Sequence, residues 1–206
     1  MDELWIAEVR EIVALAQTGL VYTKDPFDAE RYEQLLDLAR RMLARLPADS
    51  SDAILQLFYT DGGYATPKID IRVAVFDDGG RLLFVKEKSD GKWSLPGGWA
   101  DINQTPAQVA AKEVQEESGL TVEITRLAAL FDRRKHAHPP MLLHVYKAFF
   151  IARVLEGELR AGLETAEVAF FAQDAWPPLS TPRVTDEQVR LMFSFHEDPA
   201  RPTDFD

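Results

Sequence analysis

Three glutamates, Glu113, Glu116 and Glu117, stand at i, i+3 and i+4. On a helix that spacing gathers their carboxylates on one face. Hard carboxylate oxygens suit a divalent cation such as Mg²⁺, which keeps part of its water shell and shares the rest with substrate phosphates. Without a cation the three groups repel one another and titrate as a coupled set, with some carboxyl pKa values raised. The plain alternative is a solvated acidic face, because exposed glutamates are common. Two neighbouring features favour a site. Gly97-Gly98 precedes the cluster and would let backbone approach a ligand closely. No set of Lys or Arg at i+4 relieves the three charges.

The elements that must present this cluster are readable around it. Thr105 is a good N-cap, Pro106 suits the first helical position, and Gln108 completes a capping box. Gly119 is a good stop. The spacing predicts a helix over 106–118, with Ala107, Ala110, Ala111 and Val114 on a separate face able to pack on a sheet. Upstream, Ile69, Ile71, Val73 and Val75 alternate as in a strand. Asp77-Asp78-Gly79-Gly80 reads as a hairpin turn and Leu82–Val85 as the return strand. Lys92–Leu95 reads as a short extended piece, and strands are expected at 122–131, 144–154 and 167–172. Thr185-Asp186-Glu187-Gln188 has the capping-box form and opens a last helix. The tail, residues 201–206, is expected to be loosely held.

The first sixty or so residues have helical texture. One helix is expected to close at Thr18-Gly19, a second to run from the N-cap type Asp28 to Pro47, and a shorter one to span 51–59. A boundary at Thr66-Pro67 separates a helical segment, residues 1–65, from a mixed α/β domain, residues 66–206. Lys plus Arg number 23 and Asp plus Glu 34, a formal charge of 23 − 34 = −11. A chain this acidic is not expected to hold duplex nucleic acid through phosphate contacts. The absence of cysteine excludes disulfides, thiolate metal sites and a cysteine nucleophile. The acidic Met1–Trp5 leads into a helical pattern, so a cytoplasmic protein with no membrane association is expected.

Gly98 to Leu120 resembles the Nudix box, a glycine, five residues, Glu, seven residues, then Arg-Glu-apolar-any-Glu-Glu-any-Gly-apolar. Gly98, Glu113, Val114, Glu116, Glu117, Gly119 and Leu120 match at the family spacing. Two positions depart, with Gln104 where the family has Glu and Lys112 where it has Arg. The resemblance extends to Ala14–Leu20 with Tyr22 and Asp25, to Asp90–Asp101, to Lys135–Pro140 and to Pro202–Asp206. These match a branch with an N-terminal helical segment that includes CDP-choline and ADP-ribose pyrophosphatases.

The resemblance implies an α+β fold, a Nudix α/β/α sandwich with a mixed sheet, preceded by a small helical domain used for docking or dimerisation. It implies Mg²⁺-dependent hydrolysis of a nucleoside diphosphate derivative to a nucleoside monophosphate and a phosphorylated moiety, with Mn²⁺ as a substitute ion and a homodimer as the working form. Glu113, Glu116, Glu117 and Gly97 would hold the metal, with Lys112 beside them. Glu164, ahead of Glu167, is the candidate for a further catalytic carboxylate from a late loop. Gly98, Trp99, Arg133, Arg134, His136 and His138 are substrate-binding candidates; strand alternation would put both histidines on one side. Tyr22 and Asp25 are further candidates if the helical segment folds over a partner subunit. The two departures motivate a weakly catalytic nucleotide-binding or regulatory module as an alternative, and an RNA-end exonuclease is a third reading.

Overall fold

A computed structural model describes residues 3–44, 63–141 and 143–206, with side chains from residue 8 onward. The helix expected over 51–59 and the stop expected at Pro47 lie outside the described residues. The chain divides into two compact units, residues 1–67 with 140–144, and residues 68–139 with 145–206.

In the first unit, α1 (Glu3–Tyr22) and α2 (Pro26–Leu43) pack together through Val9, Val13, Ala39 and Leu43. Gly19 lies inside α1 instead of ending it, and a Cβ there would come within 2.4 Å of the Tyr32 ring. The glycine marks the close approach of two helices, not a stop. The N-cap of α2 is Asp25, not Asp28. Its carboxylate accepts from Phe27 N–H at 2.7 Å and Asp28 N–H at 3.4 Å, and Pro26 opens the helix.

The second unit is a sheet with a helix on each face. Its strands are β1 (Lys68–Phe76), β2 (Leu82–Glu87), β3 (Trp93–Ser94), β4 (Leu120–Asp132), β5 (Val145–Gly157), β6 (Thr165–Phe171) and β7 (Asp204–Phe205). Among the described residues the order is β3-β2-β1-β5-β4-β7, with β6 paired to β2. The β1–β5 and β4–β7 pairs are parallel and the others antiparallel. This mixed sheet agrees with the expected α+β class.

Strand alternation sorts β1 between two cores. Ile71, Val73 and Val75 join α3 (Pro106–Ser118) through Val109, Ala110 and Val114. Ala74 and Phe76 join α4 (Asp186–Glu197) through Val189, Met192 and Phe193. Both helices carry the capping boxes expected at Thr105 and Thr185. The tail is not loose. Its β7 extends β4, Thr203 Oγ1 donates to Leu127 O at 2.9 Å, and Asp206 Oδ2 accepts from Asp132 N–H at 2.6 Å.

Candidate active site

The segment from Pro96 to Ala100 runs along the edge of β1. Val73 N–H donates to Pro96 O at 2.9 Å, Ile71 N–H to Gly98 O at 2.8 Å, and Ala100 N–H to Ile69 O at 2.9 Å. Gly97 takes φ +145°, and a Cβ there would stand 1.9 Å from Ile71 O. Only glycine tolerates both conditions. Its N–H donates to Glu117 Oε2 at 3.0 Å, while a Cβ on Gly98 would sit 3.1 Å from the Glu113 carboxyl. The two glycines thus let the loop lie directly against two carboxylates of α3.

The three glutamates occupy different environments. Glu117 is buried, Glu113 half-buried and Glu116 exposed. Burial pushes the Glu117 carboxyl up to about 8, Glu87 and Glu113 add to the rise, and Arg72 and the Gly97 N–H oppose it. Burial, then Glu116, raises Glu113 above the usual range, against Lys112 and Arg72. Among the described residues, no three His, Asp or Glu side chains stand together as a ready metal cage. Helical spacing therefore puts the carboxylates on neighbouring turns without converging them. Their chemistry still fits a hard divalent cation in an open site: oxygen donors, partly desolvated, whose ionised form needs a positive partner.

Both departures from the box meet at one residue. Lys112 Nζ lies 2.8 Å from Asp101 Oδ2 and 4.0 Å from Glu116 Oε2. Gln104 Nε2 donates to the same Asp101 Oδ2 at 3.3 Å.

Behind the loop lies a buried charged group that sequence reasoning missed. Arg72 Nε donates to Asp70 Oδ1 at 3.0 Å, and its Nη1 donates to Leu95 O at 3.2 Å. Lys147, fully buried on β5, pairs with the other Asp70 oxygen. Burial favours a neutral Asp70, yet Arg72 and Lys147 together hold its carboxyl below the usual range. Arg72 also faces Glu117 and Glu87 electrostatically, so it supplies fixed positive charge behind the glutamates. Glu87, at the end of β2, is buried against Arg183, whose Nε lies 3.0 Å from its Oε1. Burial raises its carboxyl, and Asp90 and Glu164 add to the rise. One signal was present: Asp70 and Arg72 interrupt an otherwise apolar strand at i and i+2, hence on one face.

The other candidates divide. Glu164 is exposed on the loop before β6, and its carbonyl accepts from Lys88 N–H at 3.0 Å. Glu167 lies within β6 and pairs with Lys86 at 2.7 Å. Trp99 is 48% exposed and bridges backbone to Asp70. Residues Arg133–Lys135 form a 3₁₀ turn immediately ahead of the two histidines, whose partners differ. His136 Nε2 is 3.3 Å from Asp206, whereas His138 is buried, with Nδ1 2.7 Å from Thr181 O and Nε2 3.0 Å from Gln188 Nε2. Both His138 nitrogens are occupied internally, which corrects its expected contact with substrate. Arg133 is buried and Arg134 is tied to Asp132 at 3.0 Å. In the helical unit, Tyr22 is exposed, while the Asp25 carboxylate caps α2.

Comparison with known proteins bears on the whole chain. Residues 3–58 match the family described as "UDP-X-like, N-terminal oligomerisation domain", and residues 66–193 match the NUDIX domain. The Bacillus subtilis (strain 168) protein YjhB, provisionally named an ADP-ribose pyrophosphatase, is 42% identical over 98% of this chain and 97% of its own. A solved UDP-X diphosphatase is 31% identical, with full coverage of both chains and a TM-score of 0.63. An ADP-ribose pyrophosphatase from Streptococcus suis 89-1591 is 40% identical, covers 68% of this chain and 100% of its own, and has a TM-score of 0.62. With a glycine loop laid against the glutamates of α3 and a domain match over most of the chain, this protein belongs to the Nudix hydrolase family.

Proposed function

We propose that the chain hydrolyses the diphosphate linkage of a nucleoside diphosphate derivative, of the ADP-ribose or CDP-choline type, to a nucleoside monophosphate and a phosphorylated remainder. The observation that carries this reading is the Gly97-Gly98 loop seated on Glu117 and Glu113, both with raised carboxyl pKa values. Similarity to proteins named for ADP-ribose and UDP-X supports a nucleotide diphosphate as the substrate class. Glu113, Glu116, Glu117 and Gly97 would hold Mg²⁺, with Mn²⁺ as a substitute. Such an ion neutralises the diphosphate and makes a water nucleophilic near neutral pH. Arg72 limits the mutual repulsion of the glutamates, and Glu164 offers a further carboxylate from its loop.

Trp99, Arg133, Arg134 and His136 remain the substrate-facing candidates of the second unit. The oligomerisation-domain match supports a homodimer, in which Tyr22 and Asp25 would serve the substrate. Among the described residues no helix is long and apolar enough to cross a membrane, in keeping with a cytoplasmic enzyme.

The test is turnover of ADP-ribose, a UDP-sugar and CDP-choline with and without Mg²⁺, with products identified after reaction in ¹⁸O-labelled water. Mg²⁺-dependent release of a nucleoside monophosphate from at least one substrate is expected. No turnover of any of the three overturns the reading. Light scattering that gives a monomer mass overturns the dimer.

A further inference from the structure

We propose that Asp101 is a positioning residue: it supplies the negative charge that Gln104 lacks and holds Lys112 away from Glu113 and Glu116. Those carboxylates are thereby left open to a divalent cation. The inference rests on the functional reading above, in which the α3 glutamates hold that cation.

The geometry is specific to the residues this chain carries. Lys112 immediately precedes Glu113 and lies four residues before Glu116, one helical turn away. A lysine ammonium is a compact charge on a flexible stem and pairs with whichever carboxylate is nearest. Here it takes Asp101 at 2.8 Å and leaves Glu116 at 4.0 Å. The Gln104 amide donates to the same Asp101 oxygen at 3.3 Å, so a neutral side chain helps to orient the carboxylate instead of competing for the lysine. Asn103 makes this possible. It takes φ 65°, a left-handed turn that asparagine tolerates better than most residues, between Asp101 and Gln104.

Removing the Asp101 charge leaves Glu116 and Glu113 as the next partners for Lys112. An ammonium there competes with a metal ion for the same oxygens. The strength of an exposed ion pair sets the effect at about three- to fivefold in metal affinity.

Mn²⁺ binding without substrate, measured by titration calorimetry, tests the inference independently of turnover. Asp101→Asn should weaken Mn²⁺ binding about three- to fivefold, and Gln104→Glu in that background should restore it. In a Lys112→Met background, Asp101→Asn should have no further effect, because the competitor is gone. A similar loss in both backgrounds would mean that Asp101 acts as one more negative charge near the site, and would overturn the positioning role. Wild-type binding by Asp101→Asn overturns it as well. A wild-type protein that binds no Mn²⁺ overturns the metal reading together with this inference, whereas wild-type binding unaffected by Asp101→Asn overturns the inference alone.

Discussion

On α3, ionisable side chains are pressed into an environment that does not satisfy their charge. Glu117 is buried, accepts a hydrogen bond from the Gly97 N–H, and has its carboxyl pushed up to about 8. In residues 132–138, side chains of comparable chemistry are matched to neighbours. Arg134 is held by Asp132, His136 approaches Asp206, and His138 sits between Thr181 and Gln188. The difference separates a buried carboxylate left in need of a positive partner from side chains whose polar groups already meet neighbours within the domain. Charge alone does not distinguish the two; the state of each group's partners does.

Substitutions at three residues test this difference. The largest effect is at Glu117. Glu117→Gln should lower Mg²⁺-dependent turnover by about 10²–10³-fold, measured as kcat/KM, and undiminished turnover would place the chemistry elsewhere. The same variant has a thermodynamic signature. Because the folded pKa is raised, from 4.5 to about 8, folded protein holds this proton more tightly than unfolded chain. Metal-free stability from this group is greatest at the acid end and falls as pH rises through that window, on the order of 3 kcal/mol. Denaturant titrations at pH 5 and pH 8.5 should show Glu117→Gln gaining on wild type at the higher pH.

His138 should behave in the opposite sense. Burial, reinforced by Lys147 and Arg133, lowers its pKa from 6.5 to about 4. The unfolded chain therefore binds the proton more tightly, and stability falls as pH drops through that window, by about 1–2 kcal/mol. His138→Gln should lose more stability relative to wild type at pH 7 than at pH 4.5. An equal gap at the two values would mean that His138 is not held neutral. The smallest effect concerns the tail. Asp206→Ala removes the acceptor for Asp132 N–H and the partner of His136. The cost should be about 1 kcal/mol, or about 2–4 °C in melting temperature. An unchanged melting curve would show that the tail does not fasten the basic segment.

Regular elements were legible because their signals are local. The capping boxes at Thr105 and Thr185 and the alternation in β1 depend on residues two or three apart, and each appears where expected. Errors fell where a distant contact overrode the local signal. Gly19 reads as a helix stop, but Tyr32 of the neighbouring helix needs its missing side chain. The tail reads as loose, but β4 offers it an edge to pair with. The two histidines read as a matched pair of substrate contacts, but distant residues part their roles: Asp206 lies beside His136, while Thr181 and Gln188 enclose His138.

The amino-acid order determined the box spacing, the helix that carries it and the need for glycine at a close approach. These follow from helical periodicity and backbone sterics, which act within a few residues. Folding in three dimensions determined that Glu117 is the buried member of the triplet, that Arg72 and Glu87 reach its surroundings, and that Asp101 takes Lys112. Those outcomes join residues separated by 11 to 45 positions, as from Asp101 to Lys112 and from Arg72 to Glu117. Burial and electrostatic partnership depend on which surfaces meet, and no local spacing encodes that.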